Sequence, residues 1–238
     1  MYVPFIVDDL EKAVEGIRHL GIAAVGVTIP YKIEIMKYLD ELDTDAKRVG
    51  AVAAVVNKNG KLIGGTTDGK GALKALQEKT EVQEKNITLI GAGGAARAIA
   101  FSLHDAGSKL TILNRIEEID MAESLAEEVG CPWGDLSKLE SSISTAEIVI
   151  NTTPVGMAGT PLKGKSLVPK DLLRPEMTVM DIVTNPRETK LLQDAKNKGC
   201  HVVYGYRMLL WQGVYKFKMY TNVEPPVEVM EKAMERVK

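Results

Sequence analysis

The chain has 238 residues, which is enough for one large or two small domains with a well-buried core. Hydrophobic residues make up 45% and charged residues 26%, as in an ordinary globular protein. The formal net charge of −2 gives no reason to expect nucleic acid or an acidic membrane as a partner, and no apolar run approaches the length of a membrane span.

The first residues carry neither the basic nor the apolar region of a secretion signal, so we expect a cytoplasmic protein. Its two cysteines, Cys131 and Cys200, lie in no C-x-x-C pair, so neither a metal site nor a redox pair is expected. Two scattered thiols suit a reducing compartment.

The N-terminal segments alternate between strand and helix patterns. Residues 2–7 predict a strand, Asp9 can cap a helix whose apolar face includes Val14 and Ile17, and residues 23–27 predict a second strand. A strand–helix–strand unit of this kind predicts that the two strands are parallel. Pro30 suits the first turn of a further helix that we expect to run to residue 39.

A hairpin and another helix follow. Residues 52–56 and 61–65 predict its two strands, with the turn at Asn59-Gly60. Thr67-Asp68-Gly69 then begins a helix that we expect to end near Leu76. Charged residues at 77–85 predict a bridge into the next unit.

The most informative stretch is a strand, a glycine-rich turn and a helix. The β-branched run Asn86–Ile90 predicts a buried strand, and Gly91, Gly93 and Ala96 form G-x-G-x-x-A before an Ala-rich helix. In this pattern the first glycine permits a tight turn, and the second lets a pyrophosphate approach the backbone at the helix N-terminus. A turn with only a packing role is the alternative.

The next strand, residues 109–113, is followed by Asn114-Arg115. Sites for NAD usually place an acidic residue here to bind the ribose 2′-hydroxyl, whereas an arginine can pair with a 2′-phosphate. Glu117 and Glu118 would repel that phosphate if they faced it. The sequence therefore favours NADP without excluding NAD.

Strands and helices continue to alternate to the end of the chain. We expect helices at 119–128 and 190–198 and strands at 147–151, 177–182 and 201–204, followed by closing helices at 208–220 and 226–237. The predicted fold class is α/β, with an open parallel sheet covered on both faces. The closing helices are expected to return to the first domain.

Several motifs in this order resemble the shikimate dehydrogenases over nearly the whole chain. They are Val-Thr-Ile-Pro-Tyr-Lys at 27–32, Gly-Ala-Val at 50–52, Thr-Asp-Gly at 67–69, the glycine turn at 91–97, Asn-Arg at 114–115, Asn-Thr-Thr-Pro-Val-Gly-Met at 151–157, and Gly205 with Met208, Leu209 and Gln212. The resemblance implies reversible, NADPH-dependent reduction of 3-dehydroshikimate to shikimate.

The family is built from a substrate domain and an NADP-binding Rossmann domain with a cleft between them. On this resemblance, residues 1–68 and 208–238 form the substrate domain and residues 69–207 the NADP-binding domain. The family commonly forms monomers or dimers, so a homodimer is one expected form.

The resemblance also implies roles for individual residues. Lys32 and Asp68 are the expected catalytic pair, which would supply and share the proton of the reacting oxygen. Thr28 and Gln212 match positions that hydrogen-bond the substrate. The matching cofactor positions are Gly91, Ala92, Gly93, Gly94, Ala95, Asn114, Arg115, Thr152, Ile182, Gly205 and Met208. Alone, Lys32 would be read as a solvated lysine and Asp68 as a helix cap.

The chain also departs from the family pattern. Substrate-holding side chains of the family are replaced by Gly26, Ala53, Ala54, Thr66 and Thr184, and the sequence starts after the family's opening strand and its Ser-x-Ser. Without that strand, an edge of the sheet would be left unpaired. We therefore expect either self-association that covers this edge or a mobile first domain.

Three interpretations follow: a shikimate dehydrogenase with weakened activity, an enzyme for another small alicyclic or hydroxy acid such as quinate, and a non-catalytic NADP-binding sensor or scaffold. Lys32 and Asp68 weigh against the third interpretation, and Ala53 and Thr184 weigh against the first.

Overall fold

The computed structural model describes residues 3–28 and 30–235, and residue contacts divide the chain into two compact units. The first unit comprises Met1–Thr67 with Lys216–Pro225, and the second comprises Asp68–Tyr215 with Pro226–Lys238. These contact-based units differ from the expected domains mainly at the C-terminal end, where much of the closing helical pair clusters with the second unit.

The first unit contains a four-stranded sheet of mixed direction. Its strands are β1 (Ala24–Gly26), β2 (Glu41–Leu42), β3 (Ala54–Lys58) and β4 (Lys61–Gly65). The spatial order is β1-β3-β4-β2, with β3 antiparallel to both neighbours and β2 parallel to β4. The predicted hairpin is confirmed, since Asn59 and Gly60 both have the positive φ, 55° and 88°, that a tight turn of this type requires.

The predicted strand at residues 2–7 and its parallel pairing with the second strand are wrong, whereas the second strand, predicted at residues 23–27, is confirmed as β1. Residues 3–7 lie in no strand, and Ile6 is fully exposed, while Tyr2 lies outside the described residues. Apolar character alone does not make a strand, because a strand needs a partner for its backbone groups. The partner of β1 is β3, which runs antiparallel to it.

Two helices pack on this sheet, α1 (Leu10–His19) and α2 (Thr44–Val49). Asp9 caps α1 as predicted, its carboxylate accepting from the Lys12 amide. The helix predicted from Pro30 to residue 39 is instead a turn followed by the 3-10 helix Glu34–Tyr38, and Ile29 lies outside the described residues. The core of this unit consists of Val14, Ile17, Val27, Ile35, Ala46, Val52, Val55 and Leu62.

The second unit is built on a six-stranded sheet in which every paired strand is parallel, which confirms the predicted fold class. Its strands are β5 (Asn86–Ile90), β6 (Lys109–Asn114), β7 (Trp133–Asp135), β8 (Ile148–Asn151), β9 (Thr178–Asp181) and β10 (His201–Tyr204). The spatial order is β10-β9-β8-β5-β6-β7.

Helices cover both faces of this sheet. They are α4 (Gly94–Asp105), α5 (Ile119–Val129), α6 (Leu139–Thr145) and α7 (Lys190–Asn197), while α3 (Asp68–Gln77) packs on α4. On one face Leu139 and Ile143 of α6 and Leu191 of α7 pack against Ile90 and Val149. From β5 the chain moves on to β6 and β7 at one side of the sheet, and from β8 it moves on to β9 and β10 at the other side. Because crossovers between parallel strands are right-handed, α4 and α5 therefore cover the face opposite to α6 and α7.

The two closing helices are α8 (Gly205–Thr221) and α9 (Val227–Glu235). Glu78, just after α3, accepts from Arg207 Nε at 2.8 Å and from Trp211 Nε1 at 2.6 Å, and Arg207 also pairs with Glu231 of α9. This network joins α9 to α8 and α3 within the second unit. Across residues 3–28 and 30–235, no helix combines the length and apolar composition needed to cross a bilayer.

Candidate active site

The predicted cofactor residues gather at the carboxyl edge of the six-stranded sheet. Gly91 follows β5, Asn114 ends β6, Thr152 follows β8, Ile182 follows β9 and Gly205 follows β10. Because parallel strands end at one edge, five neighbouring strands present these positions together. Ligands of open α/β sheets bind outside this edge.

The centre of this edge lies between β5 and β8, where the strand order reverses. Gly91 has a φ of 109°, a backbone conformation that residues other than glycine rarely adopt. A Cβ atom there would collide with Thr152 Oγ1, which itself donates to the Ile90 carbonyl at 2.7 Å. A glycine is therefore required where the chain passes from β5 towards α4.

The first turn of α4 is open to a ligand. Gly93 is its N-cap residue, and no side chain caps the helix. A Cβ atom at Gly93 would meet nothing within 4 Å, and the residue is exposed, while Ala92 is buried and Gly94 and Ala95 are half-buried. Backbone N–H groups of a helix N-terminus bind phosphate well, so these residues fit the pyrophosphate of a dinucleotide.

The turn after β6 holds the two residues expected to distinguish NADP from NAD. Asn114 is buried, and its Nδ2 donates to the Glu118 carbonyl at 2.8 Å. The Arg115 side chain is 60% exposed and ion-paired with Glu118. The hydrogen bond from Arg115 lowers the pKa of the Glu118 carboxyl, so Glu118 is negatively charged at neutral pH.

A buried polar network that the sequence did not predict organises the ends of β8 and β9. Asp181 accepts from Asn151 Nδ2 at 3.0 Å, from the Val183 amide at 3.1 Å and from Thr189 Oγ1 at 2.6 Å. Burial raises the pKa of Asp181 against the opposite effect of these donors. Asn151 also accepts from Thr153 Oγ1 at 2.7 Å, so the network holds the loops that follow both strands. The sequence showed only an Asp and an Asn at two strand ends.

The start of α8 lies close to the loop after β9. A Cβ atom at Gly205 would collide with the carbonyl oxygens of Ile182 and Val183, and Met208 is buried. Farther along α8, Gln212 is half-buried, and its Cγ would lie 2.8 Å from a Cβ atom at Gly71 of α3. Gln212 thus packs closely against α3.

The two expected catalytic residues belong to different units. Lys32 is half-buried in the first unit, and its carbonyl accepts from the Val52 amide at 2.8 Å. Thr28 lies in the same unit, is exposed, and its carbonyl accepts from the Tyr31 amide at 3.0 Å. Asp68 is the first residue of α3 in the second unit and is 2% exposed.

The positions that depart from the family pattern differ in burial. Ala53 is fully buried beside β3, and Thr66 is 8% exposed after β4. Gly26 and Thr184 are exposed. Ala54, the first residue of β3, is fully buried as well, so three of the five positions lie in the interior of the first unit.

Neither cysteine forms a disulfide, and burial raises the pKa of the Cys131 thiol to about 11. In the described part of the chain, no group of three or more His, Cys, Asp or Glu side chains is arranged to hold a metal ion.

Three family models match consecutive parts of the chain. Residues 1–55 match the shikimate dehydrogenase substrate binding domain, residues 73–199 match shikimate / quinate 5-dehydrogenase, and residues 205–235 match the shikimate 5′-dehydrogenase C-terminal domain. The second match alone spans more than half of the chain.

Individual relatives agree with these matches. The NADP⁺ shikimate dehydrogenase of Pyrococcus abyssi is 45% identical over 238 residues, covering 100% of this chain and 87% of the relative. A crystal structure of a shikimate dehydrogenase in complex with NADP⁺ has a TM-score of 0.90 and 40% identity, covering 98% of this chain and 83% of the other.

A third comparison is with shikimate 5-dehydrogenase from Listeria monocytogenes in complex with shikimate and NAD, which has a TM-score of 0.88 and 38% identity over 97% of this chain and 84% of the other. The chain belongs to the shikimate dehydrogenase family of NADP-dependent oxidoreductases that act on a CH–OH group.

Proposed function

We propose that this chain catalyses the reversible, NADP-dependent reduction of 3-dehydroshikimate to shikimate, with weakened activity. The observation that carries the proposal is the carboxyl edge of the six-stranded sheet, where five strand ends present the cofactor positions of the family. Family membership over the whole chain supplies the substrate class.

We assign cofactor binding to this edge. The uncapped first turn of α4 would hold the pyrophosphate, and Gly93 would let it approach the backbone. Arg115 would pair with the 2′-phosphate. Thr152, Ile182, Gly205 and Met208 are assigned to the remainder of the cofactor on the family pattern.

The chemistry requires a proton donor as well as a hydride donor. NADPH supplies the hydride, which converts the substrate carbonyl into an alkoxide. Lys32 would deliver the proton to that oxygen in reduction and remove it in oxidation. Asp68 would provide the compensating negative charge and share the proton. Thr28 and Gln212 would donate or accept hydrogen bonds at the substrate hydroxyls.

The substitutions at the substrate-holding positions of the family support weakened activity. A missing hydrogen bond costs about 0.5–1.5 kcal/mol, and more if a substrate group is left buried and unpaired. Loss of the side chains replaced by Ala53, Thr66 and Thr184 therefore amounts to about 2–4 kcal/mol, or roughly thirty- to a thousandfold in kcat/KM. We expect a KM for shikimate above the usual range, which ends at about 1 mM.

The test is an absorbance assay of NADPH formation with shikimate and quinate, each with NADP⁺ and with NAD⁺. Shikimate with NADP⁺ should react slowly, and Thr66→Asn, alone and with Ala53→Asn, should raise kcat/KM. Thr145→Asn, on the exposed end of α6, is the control and should leave the rate unchanged. Efficient oxidation of shikimate by the unmodified chain would contradict the weakened pocket.

Quinate is the second candidate substrate. The matching family model covers both shikimate and quinate dehydrogenases, and the replaced side chains alter the positions that hold the substrate. Preferential turnover of quinate would favour this assignment. Binding of NADPH without turnover of any related acid would instead favour a sensor or scaffold.

We also propose that residues 1–68 and 208–238 act mainly in substrate binding and residues 69–207 in NADP binding, on the family division. A homodimer in the cytoplasm is the expected form of the enzyme. Both cysteines are free thiols, which suits a reducing compartment. Light scattering at micromolar concentration tests the homodimer by its mass.

A further inference from the structure

The turn between β6 and α5 has an excess of negative charge around a single cation. Residues 114–120 contain Arg115 together with Glu117, Glu118 and Asp120. Ile116, in the same turn, is 61% exposed. This segment therefore carries one positive and three negative charges.

The guanidinium already has an anionic partner. Arg115 Nη2 donates to Glu118 Oε1, and this hydrogen bond raises the pKa of Arg115 and lowers the pKa of Glu118. The Glu118 backbone is held as well, because its carbonyl accepts from Asn114 Nδ2 at 2.8 Å. The backbone of Glu118 is thus fixed in the same turn as Arg115, which keeps the carboxylate within reach of the guanidinium.

We propose that Glu118 sets the cofactor preference of this chain by competing with the 2′-phosphate of NADP for Arg115. The proposal rests on the proposed cofactor site. A 2′-phosphate that binds Arg115 must either displace the Glu118 carboxylate from Nη2 or share the guanidinium with it as a like charge. A 2′-hydroxyl requires neither change, so the competition weakens binding of NADP and leaves binding of NAD almost unaffected.

The exposure of the pair limits the size of the effect. The Arg115 and Glu118 side chains are 60% and 42% exposed, and an exposed ion pair typically contributes little. Release of Arg115 should therefore tighten binding of a 2′-phosphate about two- to fivefold, enough to change the ratio between the two cofactors.

The experiment uses nucleotide fragments, so that turnover is not needed. Calorimetric titration of the full chain with 2′,5′-ADP and with 5′-AMP measures the contribution of the 2′-phosphate. Glu118→Gln should tighten 2′,5′-ADP about two- to fivefold and leave 5′-AMP unchanged. The matched control is Glu117→Gln, which removes the same charge from the neighbouring residue and keeps the ion pair.

A double-mutant cycle identifies the competitor. In an Arg115→Gln background the further change Glu118→Gln should alter the affinity for 2′,5′-ADP by less than about 1.5-fold, because the cation for which Glu118 competes is gone. Equal effects of Glu117→Gln and Glu118→Gln, or an effect of Glu118→Gln that persists without Arg115, would contradict the proposed competition. Neither result would contradict the proposed cofactor site. Failure of the unmodified chain to bind either nucleotide would overturn the cofactor site and the competition together.

Discussion

At the scale of single residues, Asp181 links two strand ends to the loops that form the site. Its carboxylate is fully buried and accepts from Asn151, Thr189 and the Val183 amide. Burial raises its pKa, so ionisation of Asp181 is less favourable in the folded protein than in the unfolded chain. The three donors are what make a carboxylate tolerable there.

Asp181→Ala should therefore destabilise the protein strongly. The substitution removes the acceptor of the Val183 amide and of Thr189 Oγ1. Asn151 Nδ2 keeps only longer contacts, such as the one to the Val155 carbonyl at 3.3 Å. We expect a loss of about 2–4 kcal/mol in the free energy of unfolding measured in urea. Asp171→Ala is the matched control, since the Asp171 side chain is 98% exposed, and it should change the value by less than about 0.5 kcal/mol. Similar losses from both variants would show that the network does not stabilise the strand ends.

At the scale of elements, two glycines in one turn serve different purposes. Gly91 has positive φ and lies against Thr152, so its requirement is conformational and steric. Gly93 has a φ of −74° and open space around its Cβ position, so the fold itself does not demand glycine there. Its requirement comes from the ligand that approaches the helix N-terminus.

The pair Gly91→Ala and Gly93→Ala separates folding from cofactor binding. Gly91→Ala should lower the free energy of unfolding by about 1–3 kcal/mol, because an L-residue is strained at that backbone conformation. Gly93→Ala should change stability by less than about 1 kcal/mol but weaken NADPH about tenfold or more, as a methyl group meets the pyrophosphate. Thermal unfolding and fluorescence titration measure the two effects. Unchanged NADPH affinity in Gly93→Ala would contradict the assigned phosphate site.

At the scale of the whole molecule, the second unit was far more predictable from sequence than the first. Its long strands are continuous apolar runs, because a parallel sheet covered on both faces buries every side chain. The short β7 and α6 were missed, since three and seven residues show little periodicity. In the first unit α2, which has only six residues, was not predicted from the sequence. Asp43 and Gly50, which cap its two ends, are residue types typical of a helix start and a helix end.

The residues of the candidate site also differ in how well the sequence predicts them. The glycine turn and the strand-end residues carry their function in local sequence, so their grouping at one edge could be predicted. The network around Asp181 and the pairing of Arg115 with Glu118 depend on contacts between separate segments or on side-chain rotamers, which spacing does not reveal. Lys32 and Asp68 were recognised only through the resemblance, because neither has a local pattern that distinguishes it from a solvated lysine or a helix cap.

The catalytic role of Lys32 is tested most directly by the kcat of Lys32→Ala for shikimate oxidation, measured together with the affinity of the variant for NADPH. We expect kcat to fall about a hundredfold or more, because a positioned acid–base group is lost, and NADPH affinity to stay within about threefold of the unmodified chain. Asp68→Ala should also lower kcat. Lys37→Ala, an exposed lysine in the 3-10 helix of the same unit, is the control and should retain full activity. A Lys32→Ala variant with the kcat of the unmodified chain would contradict the assigned chemistry.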